Sequence, residues 1–201
     1  MRLILATRNP GKITELTDLL RDLPLEVLPQ DAWVLPEIEE TGLTFIENAL
    51  LKARHVARIT QTPVLADDSG LVVPALHGAP GLYSARYAGT SADAHANQQK
   101  LLEKLAHHTQ SERAAYFYCC VVYLRHPQDP TPLIAEGFWH GMIATAPQGT
   151  QGFGYDPLFY LPQQACTAAQ LTPAEKNRLS HRGKALSLLK EKLRMVLAAS
   201  S

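Results

Sequence analysis

The sequence carries no net charge: lysine plus arginine number 19 and aspartate plus glutamate number 19 among 201 residues. Proteins that coat DNA or RNA have a basic excess, so the balance argues against that class. A small nucleotide is not excluded, because it needs only a local basic pocket. Long apolar runs are also missing, and none reaches the length that spans a bilayer. The opening segment MRLILATRNPGK has a short apolar run but no small-residue cleavage site, so no signal peptide is read there. Only three cysteines occur, Cys119, Cys120 and Cys166, without the paired spacing of a zinc site. Buried or half-buried free thiols are expected, hence a reducing compartment, with the cytoplasm as the default. Internal repeats, low-complexity tracts, a Gly-x-Ser-x-Gly elbow and a Cys/His nucleophile pair are all lacking.

What is present suits a globular protein, with 46% hydrophobic residues. RLILAT reads as a central parallel strand, followed by a helix from about Pro10 to Arg21 and a strand over LEVL. Residues 29–41 hold two prolines and four acids and read as loop. A strong helix is predicted from about Thr44 to Thr60, where Phe45, Ile46, Ala49, Leu50, Ala53, Val56 and Ala57 recur at helical spacing. PVLA and LVVPAL read as two short strands, the second broken by Pro74. HGAPGLYSARYAG is a glycine-rich loop, and residues 91–108 read as a helix. RAAYFYCCVVYLR, rich in aromatic and β-branched residues, and LIAEGFWHGMIA form a predicted hairpin. The tail from Ser180 to Ala199 is mostly helix. Strand–helix–strand–helix followed by hairpin strands implies an α/β fold with a mixed sheet, in one domain of two lobes around a cleft.

Several stretches can carry chemistry. In ATRNPGK a strand ends where a helix begins: Asn9 can cap it, Pro10 fits its first position and Lys12 lies in its first turn. A lysine there opposes the helix dipole, which makes sense if it grips an anion such as phosphate. The same residues would also serve an ordinary capped helix. Glu37, Glu39 and Glu40 form an acidic loop, solvated or metal-binding, whereas Glu47 has a capping-box partner in Thr44. In VLADDSGL, Asp67 and Asp68 stand at a predicted strand end, the usual ligand position in α/β sheets. Neighbouring side chains on an extended chain point opposite ways, so one can bind a metal while the other turns elsewhere. An Asp-rich turn is the alternative. In QGFGYDPLF, Phe153 and Tyr155 lie between glycines, where an aromatic can stack on a base or tuck into the core. In LTPAEKNRLSHRGKAL, Thr172 and Glu175 form a second capping box, and Lys176, His181 and Arg182 can grip an anion or a base, or face solvent. The remaining histidines show no ligand spacing.

Taken in order, TRNPGK, EETGLTFIENALLKA, ADDSGL, GAPGLYSARYAG, QGFGYDP and AEKNRLSHRGKAL closely resemble the inosine triphosphate pyrophosphatase family, from Leu5 to about Leu189. The resemblance implies an α/β fold, an elongated mixed sheet flanked by helices with two lobes around a central nucleotide cleft, usually as a homodimer. It implies hydrolysis of the non-standard purine nucleoside triphosphates ITP, dITP and XTP to the monophosphate and pyrophosphate, with Mg²⁺ as cofactor. No nucleic acid polymer or membrane partner is expected. Thr7, Arg8, Asn9, Pro10, Gly11 and Lys12 match the triphosphate-binding segment. Glu39 and Asp68 match the metal ligands, and Asp68 is also the general base. Ser69 matches a substrate contact. Phe153, Gly154, Tyr155 and Asp156 match the nucleoside loop, and Lys176, His181 and Arg182 the remaining substrate contacts. Gln151 departs from the family's glycine. Two rival readings are a Maf-like pyrophosphatase with other base preference and a catalytically silent nucleotide sensor.

Overall fold

The computed structural model describes residues 1–36, 38–91 and 93–199. In its first strand, β1 (Arg2–Leu5), Leu3, Ile4 and Leu5 are all fully buried. A strand apolar on both faces belongs inside a sheet covered on both sides. Accordingly, β1 pairs in parallel with β2 (Glu26–Pro29) on one edge and with β3 (Val64–Val72) on the other. Helix α1 (Pro10–Leu20) connects β1 to β2, and α2 (Phe45–Thr60) precedes β3. After α3 (Ala94–Lys104) come β4 (Ala114–Leu124), β5 (Leu133–Ile143), β6 (Phe159–Leu161) and β7 (Cys166–Thr167), then α4 (Pro173–Leu179) and α5 (His181–Ala199). The sheet order is β2-β1-β3-β4-β5-β6-β7, with β5/β6 and β6/β7 antiparallel. The sheet is therefore mixed, as expected. No helix among the described residues is long and apolar enough to cross a membrane.

Two compact units divide the chain: Met1–Asp68, Cys119–Gly137 and Arg182–Ser201 form the first, Ser69–Tyr118 and Phe138–His181 the second. In the first, the strand period of two sorts the core. Odd-numbered Leu3, Leu5, Leu65, Cys119, Val121 and Tyr123 pack with Leu16 and Leu20 of α1 and Leu186, Leu189 and Leu193 of α5. Even-numbered Ile4, Val64, Ala66, Cys120 and Val122 are buried outside that cluster, on the opposite face. The second unit has its own core of Leu71, Leu101, Leu105, Phe117, Trp139 and Phe159, with the Phe117 and Phe159 rings 4.6 Å apart.

One sequence expectation is corrected. PVLA and LVVPAL are not two strands: β3 runs unbroken through Asp67, Asp68, Ser69 and Gly70 to Val72. The Ser-Gly turn signal loses to sheet pairing, since β3 lies between β1 and β4. Pro74 begins a 3-10 turn just beyond the strand. β1, however, ends at Leu5, paired with Leu65. The two aspartates thus lie just past the carboxyl end of β1, which preserves the strand-end logic.

Candidate active site

The entrance to α1 is built as its sequence requires. Asn9 is the N-cap: its Oδ1 accepts the N–H of Lys12 at 3.2 Å, and Pro10, which has no N–H to satisfy, occupies the first turn. Thr7 Oγ1 accepts the N–H of Asn9 at 3.2 Å and shapes the loop from β1. Arg8 turns towards residues 31–35, donating to the carbonyl of Leu35 at 2.8 Å. Lys12, three residues past the cap, reaches back to the sheet.

Its ammonium meets Asp67. Lys12 Nζ lies 2.9 Å from Asp67 Oδ2, and Arg182 Nε, from the first turn of α5, lies 3.4 Å from the same oxygen. Arg182 also donates through Nη1 to Glu15 Oε2 of α1. Asp67 belongs to the odd face of β3, towards α1 and α5, and its side chain is 0% exposed. Burial alone would raise its pKa, but Lys12, Arg182 and Lys52 outweigh burial and hold the carboxyl well below the usual carboxylate range.

Asp68 points the other way. Its Oδ1 accepts from Lys52 Nζ of α2 at 3.1 Å, and the same ammonium lies 2.9 Å from Glu40 Oε1. Two carboxylates from separate elements therefore converge on one cationic point. Burial pushes the Asp68 carboxyl above its ordinary value; Lys52 pulls against that shift and Glu40 adds to it. Lys52 would lose affinity for its proton through burial, yet Asp68, Asp67 and Glu40 raise it. Glu40 is carried there by the segment before α2, whose start is locked by the predicted capping box between Thr44 and Glu47. Glu39 is exposed, and Glu37 lies outside the described residues.

In the second unit, the nucleoside-loop residues organise around Asp156. Its Oδ2 accepts the N–H of Phe153 at 2.8 Å and Lys176 Nζ at 2.7 Å. Lys176 comes from α4, which starts with the predicted Thr172–Glu175 capping box. The same ammonium sits 4.5 Å from the centre of the Phe153 ring. Phe153 is 40% exposed, while Tyr155 is buried and donates its hydroxyl to the carbonyl of Ser84 at 2.9 Å. Burial pushes the Tyr155 hydroxyl pKa up. Gly154 gives its carbonyl to Gln98 Nε2 at 2.6 Å. His181, buried, lies flat against Phe117 with ring centres 4.8 Å apart. Ser69 is half-buried on β3.

The Ham1 family model matches residues 3–192. The chain belongs to the Ham1 family. A dITP/XTP pyrophosphatase of Thioalkalivibrio sulfidiphilus is 54% identical over 193 residues, 96% of this chain and 98% of its own length. One from Legionella pneumophila is 56% identical over 188 residues, covering 94% and 96% respectively. Among solved structures, a HAM1 protein from Coxiella burnetii superposes with a TM-score of 0.92 at 49% identity, covering 97% of this chain and 99% of that one.

Set on this Ham1 fold, the sequence-derived residues fall into groups. Lys12 and Arg182 meet at Asp67, whereas Phe153, Asp156 and Lys176 meet in the second unit. Asp68 stands with Lys52, which the sequence reading left out of the site, and with Glu40 of the acidic loop, where the resemblance implied Glu39. Lys52 is mute in sequence because a lysine on a strong amphipathic helix reads as a solvated face. The signal that could have found it is its setting: Lys52 lies between Ala49 and Ala53, both fully buried, so its stem runs beside the core side of α2.

Proposed function

We propose that the protein hydrolyses non-standard purine nucleoside triphosphates, ITP, dITP and XTP, to the nucleoside monophosphate and pyrophosphate, and thereby clears them from the nucleotide pool. The observation that carries the reading is the convergence of Asp68 and Glu40 on one cationic point, in a chain that matches dITP/XTP pyrophosphatases over nearly its whole length.

That convergence also bears on the metal. Mg²⁺ takes one or two carboxylates and completes its shell with water and substrate phosphate oxygens. Among the described residues no group of three or more potential ligands is gathered. Asp68 would hold the ion together with the acidic loop, where Glu40 shares the Lys52 ammonium with Asp68 and Glu39 is the ligand that the family resemblance implies. When bound, Mg²⁺ supplies charge neutralisation across the phosphate oxygens and polarises the α-phosphorus. Asp68, made more basic by burial, accepts the proton of the water that attacks that phosphorus in line. Lys12 and the amide groups at the start of α1 balance charge growing on the pyrophosphate leaving group.

For the base, Phe153 offers a half-exposed ring, one face being backed by the Lys176 ammonium. His181 and Arg182 donate towards a 6-keto oxygen, and adenine presents a 6-amino donor there instead. A buried donor left facing a donor costs about 1–3 kcal/mol or more. A homodimer working in the cytoplasm belongs to the same reading, and the three free thiols agree with a reducing compartment.

The test offers ITP, XTP, dUTP, ATP and GTP with Mg²⁺ and measures pyrophosphate and orthophosphate separately. Pyrophosphate from ITP and XTP, abolished by chelation and restored by Mg²⁺, is the expected result. Orthophosphate as first product would sink the attack at the α-phosphorus. A preference for dUTP would transfer the protein to a pyrimidine-directed class, and binding without turnover would make it a sensor. Sedimentation velocity measures the assembly.

A further inference from the structure

Asp67 takes no part in the chemistry above, yet the site is organised around it. Its side chain is 0% exposed, so neither a metal ion nor a phosphate can reach it without moving its neighbours. One oxygen, Oδ2, accepts from two cations, Lys12 Nζ at 2.9 Å and Arg182 Nε at 3.4 Å. Glu15, one turn along α1 from Lys12, holds the far side of the Arg182 guanidinium. A buried carboxylate is costly unless it is paired, and here the pairing is with the two cations that the functional reading assigns to substrate. A lysine without such a tether gives up rotamer entropy when a ligand fixes it. Tethering Lys12 in advance removes that cost from the binding step.

We propose that Asp67 is a positioning residue: its buried carboxylate fixes the ammonium of Lys12 and the guanidinium of Arg182, and it touches neither metal nor substrate. The two adjacent aspartates thus divide their work by strand parity. Asp68 faces α2 and the reacting groups, while Asp67 faces α1 and α5 and sets the cations. This proposal rests on the reading of Lys12 as a phosphate contact.

A double-mutant cycle tests it. Asp67→Asn, Lys12→Ala and the double variant are assayed for pyrophosphate release from ITP, each across a Mg²⁺ titration. Asp67→Asn should lower kcat/KM by about ten- to a hundredfold, since a misplaced positioning group costs rates of that order. In the Lys12→Ala background the same change should cost at least about threefold less than it does in the wild type, because one of the two groups it positions is gone and only Arg182 remains. The half-saturating Mg²⁺ concentration should stay unchanged. Losses that multiply would mark a merely structural role and overturn the proposal. A large rise in the Mg²⁺ requirement would make Asp67 a metal ligand, which also overturns it. Asp67→Glu keeps the charge but moves the carboxylate by one methylene, and it gives the same cycle if the asparagine variant does not fold. Should the wild-type protein not turn over ITP, only the functional reading fails. The cycle is then read as calorimetric affinity for inorganic tripolyphosphate, where additive losses, or no binding by the wild type, count against the proposal.

Discussion

Gly152 offers a perturbation whose cost can be worked from geometry. Its φ is +75°, and a Cβ built on it would lie 2.1 Å from Asp156 Oδ2. The left-handed backbone costs a residue with a β-carbon about 1–2 kcal/mol. The overlap adds to that, because Asp156 must turn away, and Oδ2 is the oxygen that accepts from Phe153 N–H and Lys176 Nζ. A hydrogen bond to a charged group is worth about 1.5–3 kcal/mol, so Gly152→Ala should cost roughly 2.5–5 kcal/mol if one bond is lost. For a chain of this size each kcal/mol shifts Tm by about 2–4 °C, which puts the expected fall at roughly 5–20 °C in a calorimetric scan. Gly154→Ala is the matched control. Its φ is +62°, but nothing lies within 4 Å of its built Cβ, so only the backbone cost of about 1–2 kcal/mol applies. The loop also presents Phe153, so KM for ITP should rise in Gly152→Ala more than kcat falls. Equal Tm losses in the two variants would refute the reasoning, since the overlap with Asp156 would then contribute nothing.

Three further outcomes follow from the same structure. Asp129 is 1% exposed and accepts from Arg125 Nε at 2.8 Å and from the N–H groups of Arg125 and Thr131, each at 3.0 Å. The Arg125 side-chain hydrogen bond holds the Asp129 carboxyl well below the usual range, so its stabilisation is present above about pH 4 and is lost as pH falls through the native value. Asp129→Asn should be about 1.5–3 kcal/mol less stable in urea at pH 7, with the gap to wild type closing below pH 4. Leu65→Ala, which empties a fully buried position in the first core, should cost about 2–5 kcal/mol in urea unfolding. Cys119 and Cys120 are buried, and burial pushes the Cys119 thiol pKa up; Cys166 is half-buried. In the native protein, mass spectrometry after alkylation should find Cys166 modified first, and early labelling of Cys119 would contradict the packing.

Local rules made much of the fold legible. Asn9–Pro10, Thr44–Glu47 and Thr172–Glu175 announced three helix starts, because capping needs only residues three positions apart. The apolar spacing of α2 announced its length. β3 was misread as two strands because Ser69 and Gly70 look like a turn until partners on both sides are known, and pairing is a non-local fact. The chemical residues of the site were visible as residue types, but their groupings were not. That Lys12 meets Asp67 while Lys52 meets Asp68 depends on which helix covers which face of the sheet. Glu40 gained its place from the path of a loop, for which periodicity has no rule.

The unbroken course of β3 through Asp67 and Asp68 has a consequence for how such a chain can change over generations. Two chemically identical neighbours are told apart only by whether they fall on odd or even positions of one strand. Losing or gaining a single codon between Val64 and Asp67 would exchange their faces and send each carboxylate to the other's cations, without altering either residue. Point changes elsewhere in this strand can be graded in effect, but a change of length cannot. Purifying selection here should therefore weigh on spacing as heavily as on identity.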